Sequence, residues 1–365
     1  MNGFKYTDEK ISPGQILVAI PSMVIGVGIL LLPKELAEVT VAADGWIPLI
    51  IAGVAAVFLT WAAAKFAAGF PNQSFITYAS TLATKPVATI LTALFAVSFF
   101  GISAFTVRQI ATIANHYLFD QTPIEVIALS FLLLLVYAVA GSRAGLFRLN
   151  MLFLPIVLFI AFVISGFNIG LVETRNLLPI FQTDISGYMQ GIQFSITSYM
   201  GFSILLFYTA FVDDPKKVPK MAALGMCIPI GLYVLLFILT VGVFGNVVTT
   251  QLLYPVIELA KVVELPGEFF ERFESIYFVI WIMTIFNTGA MALDVSVLTV
   301  HSIFKKAKKV KILISITPVI FTIAMLPQDV NEIDLFAVII SYSGLLYFLF
   351  VLLLLIILKK VRGVK

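Results

Sequence analysis

A chain of 365 residues that is 61% hydrophobic and only 12% charged is too apolar for a soluble globular protein, so it is read as an integral membrane protein with most of its length in contact with lipid. Its net charge of +3 carries no indication of a nucleic-acid partner. One cysteine, Cys227, excludes an intramolecular disulfide framework and any multi-cysteine metal site, and the two distant histidines, His116 and His301, belong to no metalloprotease-type motif. No catalytic residue, metal site or cofactor is assigned, and the chain is not read as an enzyme.

The polar amino terminus, MNGFKYTDEKISPG, leads without a clear cleavage site into an uncharged stretch too long for a signal-peptide core, and it is read as retained. That stretch, 16–33, reads ILVAIPSMVIGVGILLLP. A glycine costs about 1 kcal/mol of helix stability relative to alanine and a proline about 3 kcal/mol. Pro21 and the Gly26-Val27-Gly28 run therefore mark a place for the backbone to unwind. Unwound backbone at membrane depth must be satisfied by protein or by a water-filled cavity. Two readings follow, a small-solute site or a close helix contact made through small residues.

About 20 apolar residues cross the hydrocarbon as a helix. The sequence divides on that basis into ten segments, 15–33, 46–69, 86–117, 123–141, 147–170, 188–212, 220–245, 275–303, 311–327 and 334–358, of which 311–327 is short and holds Pro318. The basic residues test this division, because cytoplasmic loops are enriched in lysine and arginine. With the amino terminus inside, 18 of the 23 lysines and arginines fall on the cytoplasmic side, and only Lys34, Arg175, Lys261 and Arg272 fall outside. Arg108 alone lies within a span. Ten crossings with both termini cytoplasmic are thus expected, in one transmembrane domain, 1–365, made of two five-helix repeats, 15–170 and 188–358. The longest outer connection, 246–274, has the spacing of two short surface helices broken at Pro266-Gly267, either capping an outward cavity or lying in the interface.

Five spans per half is an odd number, so the second half enters the membrane in the opposite sense. Its first span contains ITSYMGFSILLFY, with Ser195, Thr197, Ser198, Tyr199 and Ser203 around Gly201. Hydroxyls satisfy backbone groups freed by a break. Glycine-interrupted spans at corresponding positions of two halves point to a transporter-type binding site.

The order of spans, the early IGVGILLLP and the sixth-span SYMGFS resemble the amino acid–polyamine–organocation (APC) transporter superfamily. Within it the chain is similar to the B subunits of bacterial spore germinant receptors, through PSMVIGVGILLLPKEL, DGWIPLI, FTVRQIA, TPIEVI and ERFESIYFVIWI, which are spread over nearly the whole length. The resemblance implies an all-α integral membrane fold of two inverted five-helix repeats (LeuT-like/APC fold), with helices 1 and 6 discontinuous. It implies a ligand site in which Ser22, Ile25, Gly26, Val27 and Gly28 face Tyr199, Gly201, Phe202 and Ser203. Many relatives carry a glutamate where this chain has Ser203, a departure that speaks against acid-dependent coupling and favours a neutral or zwitterionic ligand over a cationic amino acid; some carry a lysine in the fifth span, and its absence here weakens a proton-symporter reading. The resemblance also implies a sensing role in the spore inner membrane, with a small germinant such as a neutral amino acid or a sugar, and with A and C receptor subunits as partners. An ordinary secondary transporter and a non-binding assembly or channel-forming subunit are the alternatives.

Asn287 and Thr288, in the middle of the eighth span, are expected either to touch the ligand or to make a helix–helix hydrogen bond. Asp294 is either an intramembrane functional acid or an acid solvated by the basic 301–311 end. Arg108 pairs with an outer acid such as Glu125, binds helix carbonyls or contacts ligand. Ser341, Tyr342, Ser343 and Gly344 interrupt the last span and line either the cavity or an interface.

Overall fold

A computed structural model describes residues 10–26, 28–262 and 273–363. Ser12 starts the first helix, α1 (Pro13–Val24): its hydroxyl accepts the Gln15 N–H at 3.3 Å while the Gln15 side chain accepts the Ser12 N–H at 2.8 Å, and Pro13 occupies a position whose N–H has no helical partner. The chain then breaks and resumes as α2 (Gly28–Val39), bent by 53° from α1. Pro33 was expected to close the first segment, yet α2 runs six residues past it. A proline removes one helical hydrogen bond, and the buried face of Ile29, Leu30, Leu32 and Leu36 holds the helix across that gap.

The remaining helices are α3 (Trp46–Ala68), the short α4 (Phe75–Leu82), α5 (Lys85–Tyr117), α6 (Ile124–Ala140), α7 (Arg143–Asn168), α8 (Ile185–Ser198), α9 (Leu205–Tyr208), α10 (Val218–Phe244), α11 (Asn246–Gln251), α12 (Pro255–Lys261), α13 (Phe273–Ile303), α14 (Lys309–Ala324) and α15 (Val330–Val361). Side chains of Ser142, Asp184 and Asp329 cap α7, α8 and α15 by accepting backbone N–H bonds of 3.1, 2.8 and 2.9 Å.

Among the described residues six helices are long and apolar enough to cross a membrane, and two bent pairs, α1 with α2 and α8 with 202–211, raise the number to eight. The fourth and ninth expected spans are helices of 17 and 16 residues. Large apolar side chains such as Val54, Phe58, Leu152 and Leu353 point outward, as lipid contact requires. The two short helices of the long connection, α11 and α12, are separated at Leu252–Tyr254; Pro266-Gly267 lies outside the described residues.

The DGW sequence has a structural duty. Asp44 is wholly buried, and its carboxylate accepts from the N–H groups of Phe181, Gln182 and Thr183 at 2.6, 2.8 and 2.9 Å, from the Thr183 hydroxyl at 2.9 Å and from the Tyr188 hydroxyl at 3.1 Å. It thereby ties the entrance of α3 to the segment that leads into α8, and places the second broken helix against the first repeat.

α12 is fastened at the same end of the bundle. Asn168 of α7 donates to Leu259 O at 3.0 Å, and the Tyr117 hydroxyl of α5 donates to Glu258 Oε1 at 2.9 Å. Asn246 of α11 donates to Ala37 O and Thr40 O at the end of α2, at 3.0 and 3.3 Å.

Asp44→Ala leaves several buried donors without an acceptor and is expected to cost about 3 kcal/mol, whereas Tyr188→Phe removes one bond and costs about 1 kcal/mol. Equilibrium unfolding of the purified variants in one detergent measures both; equal losses would contradict the central place given to Asp44.

Candidate functional site

The last four carbonyls of a helix have no partner within it. At the end of α1 each is accounted for. Pro21 O accepts Ile25 N–H at 2.8 Å, Ser22 O and Met23 O share the Thr288 hydroxyl of α13 at 3.1 and 3.2 Å, and Val24 O accepts Gly26 N–H at 2.8 Å and the Tyr233 hydroxyl of α10 at 2.9 Å. Two side chains from two other helices therefore hold the break open. Of the two roles expected for Thr288, the structure displays the helix–helix hydrogen bond.

The glycines are where these elements meet. A Cβ on Gly26 would stand 2.6 Å from Thr288 Oγ1, one on Gly28 would stand 3.2 Å from Ser198 Cβ, and one on Gly201 would stand 2.8 Å from Val24 Cγ2. The breaks of the first and sixth spans thus press directly on each other and on α13. Val27 lies outside the described residues.

The other predicted residues divide. Ser22, in the last turn of α1, and Asn287, next to Thr288 in α13, are buried, and Ser22 Oγ and Asn287 Oδ1 have no hydrogen-bond partner among the described residues. Ser203 is also buried. Tyr199 turns toward α3, donating to Leu49 O at 3.3 Å and stacking on Tyr233 with ring centres 5.4 Å apart. Phe202 packs on Phe348 of α15 at 4.8 Å. Gly344 lies near the sixth-span break, where a Cβ would stand 3.2 Å from Met200 Cε.

Beside the break is a small cavity of about 30 Å³, lined by Ile25 and Ile29, by Ala161 of α7, by Val256 of α12, and by Trp281 and Thr284 of α13. Tyr233 is the residue bonded to the break that the sequence reading missed. A tyrosine in the otherwise apolar LYVLLF run is the signal that could have found it, since a buried hydroxyl at membrane depth needs a partner.

Asp294 requires a correction. It does lie against the basic 301–311 end, with Lys309 Nζ at 3.7 Å, but it is wholly buried rather than solvated, accepting from Arg143 Nε at 2.8 Å and the Tyr208 hydroxyl at 3.1 Å. Arg143, expected in a cytoplasmic loop, is buried at the start of α7, and its guanidinium also covers the Phe211 ring at 4.2 Å. Burial of one charge demands the other. Next to this cluster Ile11 pairs with the chain at the end of the sixth span, through Ile11 N–H to Phe211 O at 3.0 Å and Asp213 N–H to Ile11 O at 3.1 Å. At the other end Arg108 is buried, with the carboxylates of Glu125 and Glu332 close enough to act on it electrostatically.

Two double-mutant cycles probe these contacts. Gly26→Ala is expected to cost about 1–3 kcal/mol through overpacking against Thr288. Combined with Thr288→Ala it should cost less than the two losses added, and strict additivity in chemical unfolding would remove the contact from the account. Asp294→Asn leaves Arg143 buried without its carboxylate and should cost about 3–5 kcal/mol. Adding Arg143→Gln should recover part of that loss in the same measurement.

With this geometry in place, comparison with known proteins is informative. Two solved transporters match at the level of fold: MhsT in complex with L-phenylalanine, with a TM-score of 0.68 and 18% identity over 96% of this chain and 89% of that one, and Mhp1, a nucleobase-cation-symport-1 family transporter in a closed conformation with bromovinylhydantoin bound, with a TM-score of 0.66 and 14% identity over 93% and 78%. The expected discontinuous-helix APC fold is therefore the fold of this chain. Among curated proteins the chain is 38% identical to spore germination protein GerLB of Bacillus cereus over 99% of this chain and 97% of the relative. It is 28% identical to spore germination protein YndE of Bacillus subtilis (strain 168) over 97% of each. A family model described as spore germination protein matches residues 10–333. The chain belongs to the spore germination protein family of permease-like membrane proteins.

Proposed function

We propose that the chain is the germinant-binding, transporter-like subunit of a spore germination receptor. It binds a small neutral solute, an amino acid or a sugar, at the broken-helix core and passes a conformational change to partner A and C subunits in the spore inner membrane, with both of its termini cytoplasmic. The two breaks are corresponding elements of inverted repeats, 15–170 and 188–358. The observation that carries this reading is the break at Ile25-Gly26, where the carbonyls of α1 are held by side-chain hydroxyls of Thr288 and Tyr233 rather than by backbone, while Ser22 Oγ of the same turn stands without a partner among the described residues.

A solute that hydrogen-bonds to these groups exchanges with contacts the protein makes to itself. Its effect depends on binding one arrangement of the core better than another, since equal affinity for both would shift nothing. A neutral or zwitterionic solute suits the site because Ser203 is uncharged and Asp294, the buried acid of α13, is committed to Arg143.

A second reading has an observation in its favour. A Cβ would clash at Gly26 and Gly201 and be tight at Gly28, which is what a purely structural packing device would also require. Purified full-length protein in nanodiscs, titrated by calorimetry with neutral amino acids and with hexoses, separates the two. Saturable binding that Gly26→Val abolishes supports the receptor reading, and absence of saturable binding by any of them favours a non-binding assembly subunit. Uptake of the same labelled solute by liposomes holding this chain alone would assign it instead as a secondary transporter.

A further inference from the structure

The end of α15 carries charge that the rest of the described chain leaves unbalanced. Lys359, Lys360 and Arg362 close this helix. Arg362 folds onto the end of α4, donating from its two Nη atoms to Thr81 O and Ala83 O at 3.0 and 2.9 Å, and Lys85 follows two residues later at the same corner. Lys359 Nζ lies 5.0 Å over the Phe70 ring, where α3 has just ended with Lys65 in its last turn. The sequence holds no aspartate or glutamate between Asp44 and Asp120, nor any after Asp334. Among the described residues none of these five cations has an ion pair, whereas Lys10, Arg143, Lys217 and Lys309 of the same predicted cytoplasmic face each meet a carboxylate.

Beneath the cations the surface is apolar. Leu346, Phe350, Leu353, Ile357 and Val361 are exposed and recur every three or four residues, which places them in one stripe along α15. Lys360 stands two turns beyond Leu353, at the head of that stripe.

From this we infer that the corner of α3, α4 and α15 binds the phosphodiester headgroup of an anionic phospholipid of the cytoplasmic leaflet. A basic cluster directly beyond a spanning helix attracts anionic lipid, and each lysine or arginine adds to the hold. The stripe receives the acyl chains, a contact that neither free phosphate nor an acidic peptide can make. Arg362 is already fixed by two bonds to backbone before a lipid arrives.

The site reaches the sixth-span break through α4. The buried Tyr78 hydroxyl donates to Leu206 O, just beyond the break, at 2.8 Å, and the Tyr78 ring stacks on Phe70 with centres 5.0 Å apart. Phe75 of the same helix packs on Phe207 at 5.0 Å. A headgroup that draws the end of α15 against α3 and α4 therefore braces the segment after the break. This holds whether or not the core binds a solute.

Full-length protein in neutral detergent is titrated with phosphatidylglycerol, phosphatidylcholine or inorganic phosphate, and retained lipid is counted by native mass spectrometry. Phosphatidylglycerol is expected to be retained in preference to phosphatidylcholine, and raising the salt to about 0.5 M should weaken that preference. Lys85 and Lys360 are exposed, so their replacement leaves the packing intact. Lys85→Gln/Lys360→Gln should lower the affinity about fivefold for each charge lost, whereas Lys305→Gln/Lys306→Gln, elsewhere on the same face, should leave it unchanged. In nanodiscs, phosphatidylglycerol in place of phosphatidylcholine should slow amide exchange over 202–211, and Tyr78→Phe should abolish the slowing while lipid is still retained. Equal retention of the two lipids would overturn the site and leave an acidic protein segment as the counter-charge. Equal losses in the two lysine pairs would reduce it to general attraction by the basic face, and displacement of phosphatidylglycerol by inorganic phosphate at equal concentration would reassign it to a free anion. Unaltered exchange over 202–211 with lipid bound would overturn the link to the break.

Discussion

A helix interrupted inside a bilayer exposes carbonyls that lipid cannot satisfy, and the rest of this structure is arranged around that demand. The end of α1 is served by one hydroxyl from α13 and one from α10. Those bonds fix the depth and rotation of both helices against α1, and they hold only if nothing bulkier than hydrogen separates the backbone at Gly26 from Thr288. The requirement for glycine and the requirement for a hydroxyl are two sides of one contact. Because the bracing groups are side chains on other helices, a shift of α13 or α10 changes the satisfaction of α1 directly, and a bound solute competing for the same groups would bias that shift.

The two ends of the bundle are closed by different chemistry. At the predicted outer end the fasteners are mostly side chains bonded to backbone: Asp44 on the segment before α8, Asn246 on the end of α2 and Asn168 on α12. These order loops over the core. At the predicted cytoplasmic end a buried carboxylate faces two cations, with Asp294 of α13 bridging Arg143 of α7 and Lys309 of α14 and taking the Tyr208 hydroxyl from the far side of the sixth-span break. Charges cost far more to desolvate singly than in pairs, so this end is held by an interaction that separates only with access to water or to another partner. The broken core and its neighbouring cavity lie between these two kinds of closure.

Much of this order was legible in the residues themselves. Length and hydropathy located the long apolar helices, since the bilayer sets a common thickness, and Gly26, Gly28 and Gly201 marked the two interruptions because glycine weakens a helix wherever it occurs. Thr288 could be singled out as a polar group at mid-depth, with its two alternative roles left open. The serine and tyrosine cluster around Gly201 was visible too, although Tyr199 and Phe202 turn to α3 and α15, and the side on which a residue next to a break emerges depends on how the chain re-enters its helix.

The sequence by itself determined that the chain lives in a membrane, where its long apolar helices lie and where two of them fail, because these follow from local composition and from a fixed slab of hydrocarbon. Only the tertiary structure decided which partners answer the exposed groups. Asp294 meets an arginine 151 positions earlier, Tyr233 reaches a carbonyl 209 positions away, and the cavity is walled by residues of five helices. Such meetings depend on the packing of helices across the whole bundle, and no local pattern records them.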